Sequence, residues 1–163
     1  MNIEIERKFL LKNDLWKKNA AGIHYVQGYL NNAGENTFRI RIAGEKAFLT
    51  IKSKSEGIFR QEFEYEIPLE DAGELLKLSQ TPVIEKIRYK IEYAGKCWEV
   101  DEFLGKNKGL YVAEIELDSE NEPFEKPEWI GEEVSGDKRY YNSHLARKPF
   151  SEWDCSEWEK EHG

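Results

Sequence analysis

The sequence predicts a mainly β protein of the α+β class: an eight-stranded antiparallel barrel, closed as a tunnel, with a few peripheral helices. Three observations lead there. Apolar and polar residues alternate with a period of two through most of the chain, and turn signals separate the alternating runs at short intervals. The polar faces of most runs also carry charges mostly of one sign.

The first run, residues 2–11, places Glu4, Glu6 and Lys8 on one face and Ile3, Ile5 and Phe9 on the other. A second, 24–30, ends at Asn31-Asn32-Ala33-Gly34, and a third, 36–43, ends at the tight-turn pair Gly44-Glu45. Runs at 46–53 and 58–67 are divided by Ser55-Glu56-Gly57, and Pro68 closes the series. Leu69, Ala72, Leu75, Leu76 and Leu78 recur at helical spacing, so 69–79 reads as a short amphipathic helix. Alternation resumes at 83–93, 96–103 and 110–118, with turns at Ala94-Gly95 and from Gly105 to Gly109. Eight strands are enough to close a small barrel, and their hairpin-by-hairpin order suits a meander.

The stretch from Pro123 to Pro127, running into Trp129 and Ile130, reads as irregular or helical. Ser135 or Asp137 can cap a last helix carrying Tyr140, Tyr141, His144 and Leu145. Residues 1–150 are expected to form one domain and 151–163 a C-terminal tail, whose Trp153 and Trp158 either pack back on the body or make a partner-binding strip.

At 163 residues the chain can build one good core and needs no second domain. Its 39% hydrophobic residues argue for a folded globule, and its 34% charged residues argue against a membrane protein. No apolar run approaches a membrane span, and no secretory signal is evident, so the expected location is the cytoplasm. Cys97 and Cys155 are expected to be free thiols there. A net charge of −8 disfavours nonspecific binding to nucleic acid or anionic membrane, so neither is expected as a partner. The oligomeric state is left open, with a homodimer among the options.

The charged rows carry the chemistry. Arg39 and Arg41, Thr50 and Lys52, and Lys86, Arg88 and Lys90 make cationic or polar rows; Glu62, Glu64 and Glu66, Glu99 and Asp101, and Glu114 and Glu116 make anionic ones. If the sheet closes, the rows face each other across a channel that can hold a polyanion and its metal ions. The alternative is a sheet with one wet face, on which such charges are merely solvated. Clustered carboxylates are hard oxygen ligands suited to Mg²⁺, Mn²⁺ or Ca²⁺. His24, His144 and His162 are scattered and lack the spacing of a zinc site. Arginine forks bind phosphate oxygens bidentately and lysines supply point charges. No glycine-rich phosphate loop, nucleophile elbow or Cys/His pair occurs, so phosphate recognition falls to side chains and covalent catalysis is a weak reading.

These residues resemble the CYTH, or triphosphate tunnel metalloenzyme, family, whose signature is Glu-x-Glu-x-Lys near the amino terminus. Glu4-Ile5-Glu6-Arg7-Lys8 matches it. The resemblance continues through Thr37-Phe38-Arg39-Ile40-Arg41, Leu49-Thr50-Ile51-Lys52, Glu62-Phe63-Glu64-Tyr65-Glu66, Glu85-Lys86-Ile87-Arg88, Trp98-Glu99-Val100-Asp101, Ala113-Glu114-Ile115-Glu116 and Asp137-Lys138-Arg139-Tyr140-Tyr141-Asn142. It implies an eight-stranded tunnel that binds a small-molecule triphosphate and hydrolyses or cyclises it with divalent metal. By resemblance, Glu4, Glu6, Glu114 and Glu116 hold one metal, with Glu62, Glu64 and Asp101 available to a second. Lys8, Arg39, Arg41, Lys52, Lys86 and Arg88 clamp the phosphate chain. Lys8 and Lys86 are the candidate catalytic residues, as orienters of water or proton donors, with plain charge neutralisation as the alternative role.

The compact bacterial branch, which begins as this chain does, often prefers inorganic triphosphate. The expected activity is therefore hydrolysis of tripolyphosphate to pyrophosphate and phosphate with Mg²⁺ or Mn²⁺. The alternatives are an adenylyl cyclase, a thiamine triphosphatase or another organic triphosphatase of the family, and a noncatalytic polyphosphate-binding module.

Overall fold

The computed structural model describes residues 3–18, 20–31, 36–54 and 56–153. The alternating runs form strands β1 (Ile3–Leu11), β2 (Gly22–Tyr29), β3 (Thr37–Ala43), β4 (Lys46–Lys52), β5 (Phe59–Ile67), β6 (Ile84–Tyr93), β7 (Lys96–Phe103) and β8 (Tyr111–Leu117). Helix α1 (Leu69–Leu76) follows β5, and α2 (Asn142–Arg147) lies near the end of the described chain. The strands follow the order β5-β4-β3-β2-β6-β7-β8-β1, and an additional β1–β5 pairing closes them into a barrel. The turn at Ala94-Gly95 has φ of 50° and 79°, the left-handed pair of a tight hairpin.

Closure is narrow. Ile3, Glu4 and Ile5 pair with Gln61, Arg60 and Phe59 on β5, while β8 runs along the opposite edge of β1 from Ile5 to Leu10. Beyond Ile5 the β5-side edge of β1 would be bare, and an unpaired edge is a liability. A ninth strand, β9 (Ile130–Glu133), covers it at Phe9 and Leu11. The sequence reading puts an irregular or helical segment here, and the structure corrects it. Four residues are too few for a period to show, and what recruits them is the vacant edge. Arg7 pins the strand, its Nε and Nη2 donating to Glu133 at 2.9 and 2.6 Å. The Lys8 amide donates to Ser135 Oγ at 2.8 Å.

Two helix boundaries also move. After Leu76 the chain tightens into i→i−3 bonds, Leu78 N–H to Leu75 O and Ser79 N–H to Leu76 O, so α1 stops short of residue 79. Neither Ser135 nor Asp137 starts the last helix. Asp137 instead caps a 3-10 turn, Lys138–Tyr140, by accepting from the Arg139 amide, and α2 begins at Asn142 after Tyr141.

The apolar core lies outside the barrel wall, because the inward face is charged. Ile5, Phe9, Trp98, Val100, Ala113 and Ile115 point outward from β1, β7 and β8 and are roofed by Trp16 and Trp129. Trp98 is fully buried, edge-on to Phe9, Phe124 and Trp129. On the other side α1 lays Ala72, Leu75 and Leu76 over Ile40, Ala47 and Leu49. A third cluster closes one end of the barrel. There the inward positions turn apolar at Tyr29, Ile84, Phe103 and Val112, and Tyr140, Leu145 and Ala146 pack against them. Trp153 stacks edge-on to Tyr140 and Phe150, so packing continues to the last described residue. Trp158 and Cys155 lie outside the described residues, and Cys97 is a free, exposed thiol. No helix among the described residues is long and apolar enough to cross a membrane.

Because Trp98 joins the barrel wall to its outer cover, Trp98→Ala should destabilise the protein by about 3–5 kcal/mol, the usual cost of an emptied large aromatic site. Urea unfolding followed by circular dichroism measures the loss.

Candidate active site

The inward faces of all eight barrel strands line one cavity of about 290 Å³. A period of two in each strand makes this possible, since closure turns every second side chain toward the axis. All the site residues expected from the sequence line this cavity except Asp101.

One part of the lining is acidic. Glu4, Glu62 and Glu116, from β1, β5 and β8, bring carboxylate oxygens within 4.8 Å of one another. Lys52 Nζ donates to both Glu4 oxygens at 3.1 Å, and Arg60 Nε donates to Oε1 at 3.4 Å. Burial raises the Glu4 carboxyl, but Lys52, a hydrogen bond with Glu62 and Arg60 outweigh it and hold it at about 2. Glu62 goes the other way, pushed up to about 7 by burial and by its hydrogen bond with Glu4. Its Oε2 is buried without a hydrogen bond, with Lys52 Nζ 3.6 Å away. A buried carboxylate oxygen lacking a donor, beside two more carboxylates, fits a hard divalent cation. Among the described residues these three carboxylates form a group that could hold such an ion.

Glu6 and Glu114 lie alongside, with Lys8 Nζ 4.0 and 3.5 Å from their oxygens. Burial, then the Glu114 and Glu4 charges, push Glu6 up to about 8. For Glu114 burial acts upward too, but Lys8 and Arg88 outweigh it and hold the carboxyl well below its ordinary value. Thus the metal-ligating residues expected in two separate sets are mixed: Glu62 joins Glu4 and Glu116, while Glu6 and Glu114 share Lys8.

The other part is cationic. Arg88 grips Asp101 with Nε at 2.7 Å and Nη2 at 2.8 Å, and Lys86 Nζ donates to the same carboxylate at 2.8 Å. Asp101 is 1% exposed, and both its oxygens are taken. It stands behind the cations instead of facing the cavity. Lys86 Nζ also donates to Asn142 Oδ1 at 2.8 Å; that oxygen accepts from Gln27 Nε2 at 3.0 Å, and Gln27 Oε1 accepts from Arg41 Nε at 3.2 Å. Arg39 Nη2 donates to Thr50 Oγ1, which donates to Glu64. Arg39 Nε is buried with no hydrogen bond, a donor aimed at nothing in the protein.

The two lysines separate. Burial pulls Lys86 down to about 7, with Arg88 and Arg41 adding to it and Asp101 only partly opposing, since Asp101 is shared with Arg88. Burial acts downward on Lys8 as well, but Glu114 and Glu6 more than reverse it, so Lys8 stays firmly cationic.

Sequence reasoning missed Arg60 and Gln27. Arg60 was readable, because it shares the face of Glu62 and Glu64 on β5. Gln27, fully buried, is a lone polar position between Tyr25 and Tyr29 on a strand with no charged row of its own. Tyr29 lines the cavity where the apolar plug begins.

A closed antiparallel barrel with a charged lumen defines a tunnel protein, and the comparisons agree. The CYTH domain profile matches residues 2–142, and the chain belongs to that family. It is 51% identical over 151 residues to an inorganic triphosphatase of Acetivibrio thermocellus, covering 92% of this chain and 97% of the relative. It is 36% identical over 147 residues to an inorganic triphosphatase of Nitrosomonas europaea, covering 88% and 96%. Among solved structures, that of the inorganic triphosphatase NE1496 superposes with a TM-score of 0.65 at 35% identity, covering 88% of this chain and 93% of that one.

Glu6 and Glu62, at about 8 and about 7, carry protons near neutral pH in the ligand-free protein. Both folded values are raised, so their contribution to stability is complete below the ordinary carboxylate range and is lost as pH rises through 7 and 8. A bound cation needs the charged form, so Mg²⁺ or Mn²⁺ binding at pH 7 should release protons and tighten as pH rises toward 8. Calorimetry in buffers of different ionisation enthalpy counts the protons. Glu62→Gln should lower the count.

Proposed function

We propose that this chain hydrolyses inorganic triphosphate to pyrophosphate and phosphate with Mg²⁺ or Mn²⁺. The observation that carries the reading is one cavity lined both by a carboxylate cluster, Glu4, Glu62 and Glu116, and by a cationic wall of Arg39, Arg41, Lys86 and Arg88, with Lys8 and Lys52 set among the carboxylates. A lone metal site needs no such wall, and an anion site alone needs no clustered carboxylates. Relatives named inorganic triphosphatase, at 51% and 36% identity, support the choice of substrate.

In this reading Glu4, Glu62 and Glu116 hold the divalent cation, with Glu6 and Glu114 beside them. The bound cation would neutralise phosphate charge and make water a better nucleophile. Arg39, with its unpartnered Nε, and Arg41 bind phosphate oxygens and fix the chain for in-line attack. Arg88 adds a charge held rigid by Asp101, which acts as a positioning residue. Lys8 remains a fixed cation that stabilises charge developing on the phosphoryl oxygens. Lys86 Nζ, at about 7, can hold or give up a proton at working pH, so it suits transfer to the leaving phosphate oxygen. Asn142 and Asp101 aim that amine.

The test is release of phosphate from triphosphate, ATP and thiamine triphosphate, each with Mg²⁺ or Mn²⁺. Triphosphate should be turned over fastest, and ATP should give no cyclic AMP. Faster turnover of ATP, or a cyclic product, rejects the substrate; tight binding without turnover rejects hydrolysis.

Glu4→Gln and Glu116→Gln keep the side-chain shape and remove anionic ligation. Each should lower kcat on the order of 10²–10³-fold, the scale of losing one electrostatic stabiliser, with an unchanged circular dichroism spectrum. Near-normal rates at limiting Mg²⁺ would remove these residues from the site.

A further inference from the structure

Three of the tunnel's cations converge on a single aromatic ring. Tyr25, on β2, is 7% exposed and lines the cavity. From the centroid of its ring, Arg41 Cζ is 4.9 Å away, Arg88 Cζ 5.2 Å and Lys86 Nζ 5.9 Å. All three fall within the roughly 6 Å over which the negative face of an aromatic ring attracts a cation. Strands β3 and β6 flank β2 on either side, so the ring receives Arg41 from one neighbour and Arg88 and Lys86 from the other.

These cations repel one another in a buried space, and their other partners do not balance them equally. Arg88 and Lys86 share Asp101. Arg41 makes no ion pair among the described residues; its hydrogen bond goes to the neutral Gln27. Burial, then the Arg39 and Arg88 charges, depress the Arg41 guanidinium to about 10. The Tyr25 hydroxyl makes no hydrogen bond among the described residues, so the ring is what the neighbouring cations engage. The device recurs at Tyr141, with Lys8 Nζ at 5.1 Å and Arg60 Cζ at 5.4 Å from its centroid.

We propose that Tyr25 is a positioning residue of the phosphate clamp: its ring holds Arg41, Arg88 and Lys86 together so that the clamp is formed before the phosphate chain enters. This rests on the reading of the tunnel as a triphosphate site. Without the ring, Arg41 would turn away from Arg88, and binding would have to bring them back.

The experiment compares wild type, Tyr25→Phe, a series of ring-fluorinated phenylalanines at position 25, and Tyr25→Leu. Fluorination drains the negative ring face while nearly preserving shape, which a packing role would not register. Calorimetry with tripolyphosphate and Mg²⁺ should give Tyr25→Phe wild-type affinity, with stepwise weakening along the fluorine series. Tyr25→Leu should bind about tenfold more weakly, the scale of a desolvated cation–ring contact. The loss should appear in KM more than in kcat. Equal binding across the fluorine series, or Tyr25→Phe as weak as Tyr25→Leu, overturns the proposal. Because Tyr25→Leu empties a buried site and can unfold the protein, the fluorine series decides.

A second readout needs no substrate: at low ionic strength the Tm of ligand-free protein should fall along the same series. If wild type binds no tripolyphosphate while the Tm still follows fluorination, the triphosphate reading fails and the ring's role in holding the cations stands. A flat Tm series in that case overturns both.

Discussion

A sheet that closes on itself has one inside, and here that inside is charged. Everything else in the structure answers the cost of placing lysines, arginines and carboxylates in a space with little water, where an unpaired charge is expensive and a paired one only breaks even. The core is displaced to the outer wall, where Trp98, Trp129 and α1 do the burying that a small barrel usually does within. One end of the lumen is filled with apolar side chains, which makes the tunnel asymmetric. A substrate entering such a tunnel meets the charged walls from one direction.

Pairing inside the lumen is unequal, and the inequality gives the side chains different chemistry. Asp101 is saturated by Arg88 and Lys86, so it fixes cations in place and has no oxygen left for a ligand. Glu62 and Arg39 are left with a buried acceptor and a buried donor unmet. Those two atoms mark the acidic and cationic halves as incomplete in complementary ways: one lacks a donor and the other an acceptor. A phosphate chain carrying a divalent cation would satisfy both at once. The two lysines illustrate the same point, since carboxylate neighbours hold Lys8 charged while burial, with Arg88 and Arg41 adding to it, pushes Lys86 toward neutrality.

The closing seam shows how much depends on few contacts. Three residue pairs between β1 and β5 complete the barrel, and they include Glu4 opposite Arg60. The strand that carries the Glu-x-Glu-x-Lys signature is therefore also the strand that closes the sheet. Its outward Arg7 fastens β9 to the remaining edge, so alternate residues of one segment line the charged cavity and secure the closure.

The eight barrel strands are legible in the sequence to within two residues at their ends, as is the prevailing sign of most inward rows, because a period of two is a local property that any extended segment must obey. It also made twelve of the thirteen expected site residues readable as cavity-lining positions, since closure of such a sheet leaves them nowhere else to point. Tertiary structure decided which charges meet. The β6–β7 hairpin set Asp101 opposite Arg88 and beside Lys86, while pairing and packing between elements distant in sequence regrouped Glu62 with Glu4 and Glu116 and brought in Arg60, Gln27 and Asn142. It also drew Ile130–Glu133 into a strand that has no pattern of its own. Periodicity says which way a side chain faces; only the packed sheet says what it faces, and the burial and neighbours found there set its charge.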